Sequence, residues 1–171
     1  AAAMRPASCP DRGRDYPAVM PYASADVRQE LLEAVAETID EIGKAVAALG
    51  GAYELLDEVT GDRLEAELFR PIQLAYGRAQ RTYTGFAQRF DLRTRAFEPA
   101  AAGAPSHGVQ GFLDLAVEAV DEADGNLVTL QDSLMPVEVG DEELRAGLAE
   151  VRRLLGDLRG DARRFASGVG R

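Results

Sequence analysis

Between Leu32 and Leu56 the apolar side chains Leu32, Val35, Ile39, Ile42, Val46, Leu49, Tyr53 and Leu56 recur at alternating spacings of three and four. A period of about 3.5 residues marks a helix that buries one seam against its neighbours. Three further stretches repeat the pattern. Phe69, Ile72, Tyr76, Ala79, Tyr83, Phe86 and Phe90 form the second seam, and Val109, Leu113, Ala116, Val120, Ala123, Leu127, Leu130 and Leu134 the third. Leu144, Leu148, Val151, Leu155, Leu158, Ala162, Phe165 and Val169 form the fourth. The spacing predicts helices over 25–59, 62–93, 108–135 and 141–168.

The boundaries follow from local chemistry. Ser24 or Asp26 can cap the first helix, Asp62 with Glu65 three positions on has the form of a capping box for the second, and Asp141 suits the start of the fourth. Pro136 should stop the third. Gly50-Gly51 leaves the apolar phase unbroken, so the first helix is expected to run through it, and the second to kink but persist at Pro71. Ala36, Gly43 and Gly50 on one flank of the first seam, with Thr38, Ala45 and Ala52 on the other, let neighbouring backbones approach closely.

Four helices sharing one period predict an all-α fold, an antiparallel up-down-up-down four-helix bundle with coiled-coil-like heptad packing. An extended tail over 1–23 precedes it and one long loop over 94–107 interrupts it. Pairing the seams within each hairpin sets Leu49 opposite Tyr76, Val46 opposite Ala79, and Asp124 level with Arg152. Stacking the hairpins side by side places Ile39 and Phe86 in one layer with Ala116 and Ala162. In the tail, Tyr16-Pro17-Ala18-Val19-Met20-Pro21-Tyr22 is an apolar cluster suited either to strapping across the bundle or to docking on a partner.

Composition narrows the function classes. The chain of 171 residues is 46% hydrophobic and 28% charged, enough for one domain with a full core. Its formal charge of -10 opposes binding to phosphate backbones and anionic membrane surfaces, so nucleic acid is not an expected partner. No run reaches the ~20 apolar residues of a membrane helix, so no membrane insertion is expected. The leader Met4–Cys9 lacks the apolar stretch of a signal peptide. A single cysteine, Cys9, excludes an intramolecular disulfide and a cysteine zinc cage, and fits a reducing, cytoplasmic setting.

Candidate chemistry is sparse. The seams hold three tyrosines and no other polar group, and the sole histidine, His107, lies in the long loop, so a dinuclear metal site lacks its ligands. Tyr76, Tyr83, Phe86 and Phe90, with Arg93 and Arg95 beyond them, form a candidate wall for a flat ligand, the alternative being ordinary core. Asp114, Glu118 and Glu122 make an acidic ridge on the third helix, a candidate cation site unless it is a solvated face answered by arginines. Arg145, Arg152 and Arg159 stripe the fourth helix, and Arg78, Arg81, Arg89, Arg93 and Arg95 make the end of the second basic. Such clusters grip carboxylates or phosphates unless paired internally.

Two functions from different classes fit. One is a non-catalytic interaction or assembly module that contacts a protein partner or another copy of itself, with no cofactor. The other is a small-ligand-binding or sensing bundle with a site at the open end near Phe90, Arg93, Arg95 and His107, the 94–107 loop serving as a lid.

Overall fold

The computed structural model describes residues 21–106 and 108–169, with side chains from residue 24 onward; the tail cluster over 16–20, Cys9 and His107 lie outside these. Every regular element among the described residues is helical, and none is a strand. Helix α1 is Pro21–Tyr53, α2 is Glu58–Leu64, α3 is Arg70–Phe90, α4 is Gly108–Asp132, α5 is the short Met135–Glu138 and α6 is Glu142–Val169. A π-helical segment, Glu65–Phe69, joins α2 to α3 without interruption.

Several boundaries differ from the sequence expectation for identifiable reasons. Residues 21–23, expected in the tail, belong to helix α1. It ends at Tyr53 and not near residue 59, closing with short-range bonds from the Leu55 N–H to the Ala52 carbonyl and from the Leu56 N–H to the Tyr53 carbonyl. The next helix is capped by Asp57 and not Asp62: the Asp57 carboxylate accepts from the Thr60 N–H at 3.1 Å and the Thr60 hydroxyl at 2.7 Å. Two hydrogen bonds at the cap override an apolar phase that Leu56 only appeared to continue. Helix α4 stops at Asp132, before Pro136, which sits in the first turn of α5.

At Pro71 the helix neither breaks nor simply kinks. The Arg70 N–H reaches the Glu65 carbonyl, five residues back. Widening the turn just ahead of the proline makes room for a ring that would crowd a normal α-turn. The extra residue also shifts the phase, so Leu64 and Leu68 are fully buried while Phe69 is only partly so.

Helix α1 packs against α3 and α4, and α6 packs against the same two; neither α1 with α6 nor α3 with α4 packs comparably. Specific contacts give the directions. Tyr76 of α3 lies over Gly43, and Gln29 near the start of α1 bonds the Arg93 backbone just past the end of α3. The expected register set Tyr76 opposite Leu49 and Arg93 opposite Leu32, so it is slipped by three to six residues. Gly51, near the end of α1, faces Phe112, near the start of α4, while Arg28 donates to the Val139 carbonyl beyond the end of α4 at 3.0 Å. Thr82 of α3 abuts Gly147 of α6, and Arg89 near the end of α3 meets Asp141 at the start of α6. Asp124 meets Arg152, as expected.

These contacts correct the up-down-up-down order. In that order α4 would start beside the start of α1, but it starts beside the end of α1, so α3 and α4 point the same way. The segment between them therefore runs back along the length of the helices. At about 3.3 Å per extended residue, segment 91–107 has ample reach for the ~30 Å length of α3. The layer joining Ile39 to Ala116 does not exist, because Phe112 is level with Gly51.

The core is nearly free of polar groups. Among the described residues, its only buried polar ones besides Tyr83 are Thr38 and Thr82, whose hydroxyls donate to the carbonyls of Ala34 and Arg78 one turn back. In α6 the whole predicted seam from Leu144 to Phe165 is buried. Small residues set the spacing between helices: a Cβ on Gly147 would lie 2.3 Å from Thr82 Oγ1 and 3.0 Å from Thr82 Cβ, whereas one on Gly50 would meet nothing within 4 Å. Gly147→Ala should therefore cost about 1–3 kcal/mol by overpacking, with part of the loss recovered when Thr82→Ala is added. Gly50→Ala should stabilise by about 0.5–1 kcal/mol through helix propensity. Urea unfolding of the three variants and the parent measures both signs.

Candidate functional site

The aromatic residues at the end of α3 serve mainly to hold the returning segment. Tyr83 is 1% exposed, and its hydroxyl accepts the backbone N–H of Arg95 at 3.0 Å. Phe97 packs edge-on against the Tyr83 ring at 5.0 Å. The Arg95 guanidinium lies over Phe97 and pairs with Asp40 of α1 at 2.5 Å. Phe86 is buried against Phe90, which is covered in turn by the Arg28 guanidinium at 4.4 Å. Arg93 is engaged through its backbone by Gln29. Four of the six proposed wall residues thus face core or loop partners, and the segment lies along α1 instead of over an open end.

Tyr76 differs from these. It lines a cleft of about 370 Å³ with Gly43, Val46, Ala47, Phe97 and Pro99, between α1, α3 and the returning segment. Burial, and after it the negative charge of Asp40, push the Tyr76 hydroxyl above the usual tyrosine range. It is therefore a neutral hydrogen-bonding group at the edge of an apolar recess.

The acidic ridge borders one cleft, where Asp114, Glu118 and Glu122 are joined by Asp121 and by Arg163 of α6. Glu118 and Glu122 also border a second cleft with Glu41, Lys44 and the 101–103 backbone, and Lys44 pairs with Glu41 at 2.6 Å. Asp114 accepts from Gln110. Among the described residues no three His, Cys, Asp or Glu side chains converge as a metal site requires. Two further acids of α4 are met by α6: Asp121 by Arg159 and Arg163, and Asp124 by Arg152 and Arg159. Arg145 donates to the Pro136 carbonyl. The arginine stripe is thus largely a seam of half-exposed ion pairs, individually weak but forming a network along one helix pair.

Sequence reasoning missed the turn between α1 and α2. Tyr53, Leu55 and Val59 are 45%, 56% and 72% exposed there, with exposed Glu54, Asp57 and Glu58 among them. The signal was present: Leu55 and Val59 are large apolar residues that fall outside the seam. No protein-family model matches the chain, and no characterised protein or solved structure was found similar to it.

At the other end of the helices, Asp141 joins the basic end of α3 to α6. Its carboxylate accepts the Leu144 N–H at 2.7 Å, capping α6, and binds Arg89 at 2.5 Å. Partial burial opposes the charge, but Arg89 and the Leu144 N–H outweigh it and hold the acid below the usual aspartate range. A carboxylate lowered in this way contributes stability that is present above its unfolded pKa and lost as pH falls through its folded value. Asp141→Ala should cost about 1–2 kcal/mol at neutral pH, and the gap to the parent should narrow steadily below about pH 4. Urea unfolding at neutral and acid pH compares the two.

Proposed function

We propose that the four long helices close into one antiparallel four-helix bundle with a single long crossover, and that the bundle is a non-catalytic interaction module. Its partner is a basic, amphipathic protein segment that docks on the α1–α2 turn. The observation that carries this reading is the exposed trio Tyr53, Leu55 and Val59 rimmed by Glu54, Asp57 and Glu58. Large apolar residues at the centre of a charged rim are the usual anatomy of a docking patch. The acidic rim, on a chain of net charge -10, disfavours a second copy of the chain and favours a cationic partner.

Other properties of the molecule agree with a binding role. No charged residue is buried among the described residues, half of the charged side chains are in internal ion pairs, and the buried hydroxyls of Thr38, Thr82 and Tyr83 are all engaged in hydrogen bonds. No described helix is long and apolar enough to cross a membrane. One cysteine, with no second to pair with it, suits a reducing compartment such as the cytoplasm. A second reading, small-ligand binding, rests on the recess beside Tyr76, which has the apolar lining and single polar handle of a modest pocket.

Fluorescence polarisation with a labelled amphipathic helical peptide of leucine and lysine tests the first reading. Saturable binding by the parent is expected, with at least a tenfold loss, on the order of 1.4 kcal/mol, in the Leu55→Asp/Val59→Asp variant and no binding of the matching glutamate peptide. Equal binding by parent and variant removes the turn from consideration. Native mass spectrometry of gently purified protein adds an independent reading: a bare dimer would replace the basic partner with a second copy, and a monomer carrying a discrete small-molecule adduct would favour the recess at Tyr76.

A further inference from the structure

We infer that the groove between α3 and α6 at Arg78 and Arg81 is a binding site for a phosphate group, separate from the α1–α2 turn. Acidic residues outnumber basic ones 29 to 19 in this chain, and nine arginines of the described residues, from Arg63 to Arg164, are ion-paired. Arg78 and Arg81 have no ion pair or side-chain hydrogen bond among the described residues. They sit one turn apart on α3, on the same side of the helix. Both line a cleft of about 300 Å³ with Thr82, Arg89, Glu143 and Ala146.

The acids nearest to them are committed elsewhere. Glu150, whose charge is felt at Arg78, is held by both Nε and a terminal nitrogen of Arg153, at 3.1 and 2.9 Å. Glu143 is held by Arg89 at 2.7 Å. The Arg78 Nε is itself buried and has no partner. A buried, charged donor without an acceptor is costly, and an anion in the cleft would satisfy it.

The walls leave room for one. Opposite the arginines, α6 presents the small Ala146 and, beside it, Glu143, whose charge is taken up by Arg89. Thr82 is turned away, donating to the Arg78 carbonyl at 2.9 Å. Two unpaired guanidinium groups balance a dianion, and their forked donors match the oxygens of a tetrahedral phosphate; a single carboxylate would balance only one. The cleft is larger than a phosphate ion, so a phosphate monoester fits as well as the free ion.

Titration of the full chain with inorganic phosphate, followed by ¹H–¹⁵N NMR of the arginine Nε–H signals, tests the site. A saturable shift of the Arg78 signal in the millimolar range or tighter is expected at constant ionic strength, with sodium chloride as the control. Arg81→Gln, at an exposed position that leaves the core untouched, should weaken binding at least about tenfold, the scale of one charge-assisted pair. Arg78→Gln should abolish it, with the ¹H–¹⁵N spectrum reporting whether that variant is folded. Glycerol phosphate distinguishes the sources: binding tighter than inorganic phosphate assigns the site to an organic phosphate, and equal or weaker binding to the free ion. Chloride reproducing the shift, no saturation, or unchanged affinity in Arg81→Gln would overturn the inference.

Discussion

The direction of α4, and with it half of the helix contacts, depends on how the chain returns after α3. The return is held partway along the helices by three linked interactions: the Arg95 N–H on the Tyr83 hydroxyl, the Phe97 ring on the Tyr83 ring, and the Arg95 guanidinium on Asp40. With the segment anchored there, it cannot turn back at once to lay α4 against α3. It delivers Gly108 to the far end of α1, where Gly51 leaves space for Phe112. The buried hydroxyl of Tyr83 is therefore a determinant of topology more than of chemistry. A phenylalanine at that position would fill the core equally well but leave the passing backbone N–H without its acceptor.

Helix existence, and most of the buried positions, were legible because apolar burial at a fixed period is a strong and local signal. The seam of α6 is buried as its spacing indicated, and the Asp141 cap and the Asp124–Arg152 pair are where periodicity put them. What was not legible depends on competition between signals. Leu56 continued the heptad on paper, but Asp57 and Thr60 formed a better cap three residues before the next turn signal. The phase of the second helix hid a π segment, since one inserted residue before Pro71 exchanges one apolar residue for its neighbour, Phe69 for Leu68. The order of the helices lay in a loop, and heptads carry no information about which end of a neighbour a long loop reaches.

The surface chemistry was legible in composition but not in pairing. Arginine-rich and acid-rich helix faces were plain in the sequence; which of them cancel is a matter of three-dimensional proximity. Asp121 and Asp124 absorb Arg152, Arg159 and Arg163, while Glu150 and Glu143 turn to Arg153 and Arg89 and leave Arg78 and Arg81 uncompensated. The exposed apolar turn was hidden for the opposite reason. An apolar residue off the seam looks like noise until the helix is seen to end before it.

The shared direction of α3 and α4 also fixes where the outer helix ends lie. Arg28, near the start of α1, sits beside Val139, just ahead of α6, whereas Phe165, near the end of α6, lies under Arg63 at the opposite extreme. In a simple up-and-down order the two would share one end. Here α1 enters at one pole and α6 leaves at the other, separated by the length of helices that rise about 1.5 Å per residue. Tension applied between these points would load the long helix interfaces in shear along their whole length instead of peeling one helix away at a time.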